Sequence, residues 1–273
     1  MPQPPDGASQ RLWIGTSWKM TKTISEATAF VDTLADVAFP DSVQPFVLPA
    51  HTALASVRDR LPEGSPVMLG AQNAHWAAEG AGTGEVSMRM VADAGARLVE
   101  IGHSERRAQH NETDDSVGRK VRAATDASLV PLVCVGEPHA VRAAGDVSPF
   151  VRQQVAAALA RLRREEASTV LIAYEPVWAI GEHGRPALPS EVAPVMDDIR
   201  AAVRRAGGGC RAVLYGGSVD STNAARLLGE GGADGLFVGR AAWDVRGYLE
   251  LVDIAAQCAA ERAASRAGRT VST

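Results

Sequence analysis

Two short segments hold the residues best suited to chemistry. Ile101-Gly-His-Ser-Glu-Arg-Arg107 and Ala173-Tyr-Glu-Pro-Val-Trp-Ala-Ile-Gly181 each follow an apolar run, one ending it in a histidine and the other in a glutamate. A carboxylate aimed at a C–H bond is a general base. A neutral imidazole beside a carbonyl oxygen is the donor an enolising substrate needs, so His103 and Glu175 make one acid/base pair. The plain alternative is two capped strand ends with ordinary turns behind them. Both segments in one chain favour the chemical reading. Pro176 stiffens the exit from its strand, and Trp178 to Gly181 reads as a covering loop.

Other run ends add to this pair. The first run leads into Ser17, Trp18 and Lys19. A lysine so close to a buried strand is costly unless it faces an opening, where its ammonium holds a phosphate or an enolate oxygen; otherwise it is a solvated turn residue. Ser104 is placed to cap the helix after His103, and the dipole of that helix would keep the imidazole neutral. Glu105 and Arg106 read as scaffolding that organises the site through ion pairs. Gly216-Gly217-Ser218 and Gly239-Arg240 follow two later runs. Either pair could be a tight turn, but together they let backbone N–H groups converge on an anion. His51, His75, His110, His139 and His183 show no metal-ligand spacing. No metal and no cofactor are expected.

These residues need a scaffold that brings distant run ends together. Apolar runs recur at 12–15, 45–48, 67–71, 98–102, 132–136, 170–174, 212–215 and 235–238, with helical spacing at 26–38, 87–94, 114–127, 150–162, 190–205, 222–228 and 248–260. The runs lack period-two alternation, as parallel strands buried on both faces do. Eight such units predict an α/β fold of the (β/α)8 TIM-barrel type, with the chemistry at the carboxyl ends of the strands. An open doubly wound sheet would usually show Gly-x-Gly-x-x-Gly after its first strand, whereas Gly15 is followed by Thr-Ser-Trp-Lys. The 273 residues fit one catalytic domain over 11–262, with flexible tails at 1–10 and 263–273.

Composition narrows the class further. A net charge of −4 offers nothing to nucleic acid, and no apolar stretch is long enough for a membrane helix. Cys134, Cys210 and Cys258 are too few and scattered for a disulfide framework and read as reduced thiols. A cytoplasmic protein is expected.

Several motifs resemble the triosephosphate isomerase family over almost the whole barrel. They are Trp18-Lys19-Met20, Gly70-Ala-Gln-Asn73, Gly82-Thr-Gly-Glu85, Gly102-His-Ser-Glu-Arg-Arg107, Cys134-Val-Gly-Glu137, Ala173-Tyr-Glu-Pro-Val-Trp-Ala-Ile-Gly181, Tyr215-Gly-Gly-Ser218 and Asp234-Gly. The resemblance implies Lys19 as cationic stabiliser, His103 as electrophile and Glu175 as base. Ser104, Glu105 and Cys134 would support them, and Gly181, Gly216, Gly217, Ser218 and Gly239 would bind substrate. This family is itself the standard illustration of a neutral catalytic histidine and a closing loop. It further implies a cis-enediol route without cofactor, a loop from 176 to about 187 closing over phosphate, and a homodimer in which Thr83 abuts the partner's site.

Three positions depart from the family pattern. Ser17 replaces an asparagine, Gly181-Glu-His-Gly184-Arg-Pro186 replaces Gly-Thr-Gly-Lys, and Arg240 replaces a glycine. A smaller side chain at Ser17 leaves room beside the reacting carbons, and Arg240 puts a guanidinium at the phosphate or the rim. The chain therefore looks like the family's tetrulose-phosphate branch, converting L-erythrulose 1-phosphate into D-erythrulose 4-phosphate. The alternatives are the triose reaction between dihydroxyacetone phosphate and D-glyceraldehyde 3-phosphate, and a non-catalytic sugar-phosphate sensor.

Overall fold

The computed structural model describes residues 11–181 and 184–270. Its strands are β1 (Leu12–Ser17), β2 (Val43–Leu48), β3 (Met68–Ala71), β4 (Leu98–Ile101), β5 (Val130–Val135), β6 (Leu171–Tyr174), β7 (Ala212–Tyr215) and β8 (Gly235–Val238). Each pairs in parallel with the next and β8 returns to β1, closing a barrel in sequence order. All eight expected runs are strands, their ends shifted by no more than two residues.

Around the barrel lie α1 (Ile24–Ala35), α2 (Leu54–Arg58), α3 (Met88–Asp93), α4 (Ser104–Gln109), α5 (Asp114–Asp126), α6 (His139–Ala144), α7 (Val147–Leu159), α8 (Pro189–Ala206), α9 (Ala224–Gly229) and α10 (Val245–Thr270). The sequence did not foretell α2 and α6, which are of five and six residues and too short to display a 3.6-residue period. Helix starts follow local chemistry: Thr23 and Glu26 form a capping box at α1, and the Ser87 side chain accepts from the Met90 N–H at α3. Helix α10 continues beyond residue 262, through most of the expected C-terminal tail, because Ala263, Ala264 and Ala267 keep helix propensity high. The expected tail at 1–10 and the last residues, 271–273, lie outside the described residues.

Strand side chains alternate between two cores. Trp13, Phe46, Leu98, Leu132, Leu171 and Leu214 belong to the cluster that fills the lumen. Ile14, Val47, Val99, Val133, Ile172 and Val213 face the helices. Phe46 stacks on Phe237 with ring centroids 5.7 Å apart, plugging the barrel beneath its mouth. Pro45 brings no N–H to β2, and Tyr248 of α10 bridges that stretch: its hydroxyl accepts from the Phe46 N–H at 3.1 Å and donates to the Ile14 carbonyl at 3.0 Å. All three cysteines are free thiols, with Cys134 and Cys258 buried.

Candidate active site

The carboxyl ends of five strands meet in a cleft of about 320 Å³. Ser17 and Lys19 come from β1, Glu100 and His103 from β4, Glu175 from the end of β6, Gly216, Gly217 and Ser218 from β7, and Gly239 and Arg240 from β8. Gly181 also lines it. The structure thus gathers residues that lie up to about two hundred positions apart in the chain.

His103 is the N-cap of α4, and its Nδ1 accepts the Glu105 N–H at 3.1 Å. This corrects the expected capping by Ser104, which is instead the first helical residue. The amides that a Ser104 cap would serve, those of Arg106 and Arg107, already donate to the His103 carbonyl at 2.9 and 3.1 Å, and the cap contact itself selects the tautomer. With Nδ1 accepting, the proton sits on Nε2, which faces Glu175 Oε2 at 3.6 Å. Burial, aided by the charge of Lys19, holds the imidazole down to a pKa of about 4, so the ring is neutral at physiological pH.

Lys19 adopts a left-handed backbone, φ 50°, which aims its side chain back across the mouth. Gln72 secures that turn by donating to the carbonyls of Lys19 and Leu48, each at 3.0 Å. The ammonium donates to Glu105 Oε1 at 2.5 Å, so Glu105 does position the site through an ion pair. Arg106 turns away and pairs with buried Glu112 at 2.9 Å.

Glu175 is 3% exposed. Its N–H donates to the Val135 carbonyl at 2.7 Å. Two glycines leave it room: a Cβ on Gly136 would lie 1.9 Å from the Glu175 carbonyl oxygen, and one on Gly216 would lie 2.8 Å from its Cγ. The Oε2 atom has no hydrogen-bond partner among the described residues. Burial first, and then the neighbouring Glu100 carboxyl, raise its proton affinity, while a hydrogen bond with the Cys134 thiol and the charge of Lys19 oppose the rise. A carboxylate whose basicity is raised and whose one oxygen is free suits proton abstraction.

One carboxyl in the cleft escaped the sequence reading. Glu100 interrupts an apolar run, and that interruption was the available signal; it is 3% exposed on the cleft floor. Trp243 lines the cleft and donates its indole N–H to the Ser17 carbonyl at 2.9 Å. Among the described residues Glu100, Cys134 and Glu175 place one ligand atom each within 4.8 Å of one another. Burial raises the proton affinity of all three.

The covering loop is braced at its first arm. After Pro176 the chain makes a 3-10 turn over Val177–Ala179. The Trp178 indole donates to Glu137 Oε1 at 2.6 Å and lies between the guanidiniums of Arg142 and Arg185, at 4.2 and 4.4 Å from its ring. Both arginines pair with Glu191 at 2.6 Å. Across the mouth, Arg240 donates through Nη2 to the Gly181 carbonyl at 2.8 Å. Of the departing segment Gly181–Gly184, Glu182 and His183 lie outside the described residues. Thr83 is exposed on a loop and is not brought into the cleft of its own chain.

Residues 12–255 match the triosephosphate isomerase family. The chain is 50% identical over 255 residues to an L-erythrulose-1-phosphate isomerase of Mycolicibacterium smegmatis, covering 92% of this chain and 95% of that protein. It is 46% identical over 257 residues to a protein of the same name from Rhizobium rhizogenes, covering 93% and 97%. A third so named, from Mesorhizobium japonicum, is 45% identical over 247 residues, covering 88% and 95%.

Proposed function

The chain belongs to the triosephosphate isomerase family, and from that premise we propose that it is a sugar-phosphate isomerase converting L-erythrulose 1-phosphate into D-erythrulose 4-phosphate. One observation carries the chemistry: a neutral imidazole facing a buried carboxylate at 3.6 Å, beside a lysine ammonium. The names of the relatives, together with the small Ser17, support the four-carbon substrate.

Glu175 takes the proton from C3 of the ketose. The Nε2–H of His103 and the ammonium of Lys19 stabilise charge developing on the C2 oxygen. His103 then relays the hydroxyl proton between the two oxygens of the enediol, and Glu175 returns its proton to C2. The ketone has moved to C3, and no atom is gained or lost. Backbone N–H groups of Gly217, Gly239 and Arg240 serve the phosphate at the mouth. The residues act without a cofactor.

The substrate reading is tested by initial rates on L-erythrulose 1-phosphate and dihydroxyacetone phosphate side by side, with products followed by NMR in D₂O. The expected result is a higher kcat/KM on the tetrulose with deuterium incorporated at the reacting carbon. A clear preference for the triose overturns this substrate.

Arg240 acts at the rim as a latch that holds the Pro176–Gly181 arm down over the phosphate. An enediol exposed to water loses phosphate by elimination, so the latch protects the intermediate. In Arg240→Met, the share of turnovers ending in inorganic phosphate is expected to rise by about tenfold. Arg240→Lys, which keeps one donor, should recover most of the loss. An unchanged phosphate yield in Arg240→Met would remove the latch.

The family resemblance also leads us to a cytoplasmic homodimer. Met20 is 98% exposed beside the site, and the loop carrying Thr83 stands out from the barrel, as an apolar knob and an arm for a second copy would. No helix among the described residues is long and apolar enough to cross a membrane.

A further inference from the structure

We propose that Glu100 contacts the substrate, holding the terminal hydroxyl of the four-carbon ketose phosphate and so setting the preference for it over the three-carbon one. This assignment rests on the substrate reading above and deepens it.

Register places the residue. Along β4 the side chains alternate, Leu98 joins the lumen cluster, and Glu100 two residues on points the same way, up against the cleft. A carboxyl there is costly to bury, and an apolar residue would fill the same space without that cost. Its neighbours are not those of a structural ion pair: the Ser17 hydroxyl and the charge of Lys19 favour its ionised form, but the Lys19 ammonium donates to Glu105 instead. Ser17 is also the position that departs from the family's asparagine, so the short side chain and the acid face the same space.

Reach points to the hydroxymethyl group. The carbon that yields its proton to Glu175 carries the extra CH₂OH, whose oxygen is two bonds away. The carboxyl oxygens of Glu100 and Glu175 approach within 4.8 Å. A hydroxyl branching from a carbon held against Glu175 therefore comes within hydrogen-bonding range of Glu100. Burial raises the acid to a pKa of about 8, so at neutral pH it offers one O–H donor and one acceptor, the complement of a sugar hydroxyl. The three-carbon substrate lacks this group and leaves the acid unmatched, which is how a polar pocket rejects a shorter analogue.

The test compares kcat/KM for L-erythrulose 1-phosphate and dihydroxyacetone phosphate in wild type, Glu100→Leu and Glu100→Gln. Glu100→Leu should lose about 100-fold on the tetrulose and stay within about threefold on the triose. Glu100→Gln, which keeps a donor and an acceptor, should return the tetrulose rate to within about tenfold of wild type. The tetrulose-to-triose ratio in wild type should also fall as pH rises through about 8, and this limb should vanish in Glu100→Gln. The charged and ionisable groups that face Glu100, namely Lys19, His103, Glu105, Glu112, Glu175 and Cys134, meet both substrates alike, so the ratio cancels them. Equal losses on both substrates, or a pH-independent ratio in wild type, would overturn the assignment. A wild type that isomerises only the triose sinks the substrate reading and the assignment together; a tetrulose preference that survives Glu100→Leu sinks the assignment alone.

Discussion

Glu175→Gln is expected to lower kcat by about 10³-fold or more while leaving the affinity for inorganic phosphate within a few fold, because a general base contributes roughly 10² to 10⁴ and acts only in the transition state. The amide is isosteric with the carboxyl, so the close packing against Gly216 survives, and the backbone bond from the Glu175 N–H to Val135 is untouched. What disappears is the basic oxygen, Oε2, that faces His103. Glu175→Asp keeps the charge but draws it back by one methylene, and a displacement of about 1 Å can cost roughly 10²-fold. Deuterium exchange at the reacting carbon should fall in parallel with turnover in both variants. Turnover within tenfold of wild type in Glu175→Gln would remove this residue from the role of base.

Lys19→Met is expected to lower kcat/KM by about 10³-fold, since a single preorganised donor at a developing oxyanion is worth about 10² to 10³ and this one carries a full charge. The substitution has a second, independent consequence. Lys19 lowers the proton affinity of both His103 and Glu100 through its charge. Its removal makes protonation of each group easier, so both pKa values should rise, His103 from about 4 and Glu100 from about 8. The imidazole titration is followed by the NMR shifts of its ring protons. A His103 titration that does not move in Lys19→Met, with turnover preserved, would place the ammonium away from the reacting oxygen.

Much of this was legible in the chain because the relevant signals are local. A parallel strand buried on both faces is a continuous apolar run, so eight runs announce eight strands without any contact being known. A residue that ends such a run sits at the barrel mouth wherever its partners lie in sequence. Lys19, His103, Glu175, the Gly216-Gly217 pair and Gly239-Arg240 were found this way, and the cleft brings them together. The short helices α2 and α6 were hidden because five or six residues do not complete two turns.

Other features depend on distances between segments. Which side chain caps α4 depends on where the ring of His103 meets the Glu105 amide, and both His103 and Ser104 had the chemistry to do it. The direction of Arg240 is set by Gly181, fifty-nine residues away, whose carbonyl accepts its guanidinium. Glu100 looked like an interruption of an apolar strand; only barrel register turns it inward, and only closure of the barrel brings its carboxyl beside that of Glu175.

The sequence by itself determined the barrel and singled out the residues proposed as acid, base and cation, since hydrophobic patterning and the ends of runs are written residue by residue along one chain. The tertiary structure alone decided the tautomer of His103, the hydrogen bond between Arg240 and the loop, and the place of Glu100 in the pocket. Hydrogen bonds and carboxyl proton affinities depend on separations of a few ångströms between segments that the chain keeps far apart, and those separations exist only once β8 has closed onto β1.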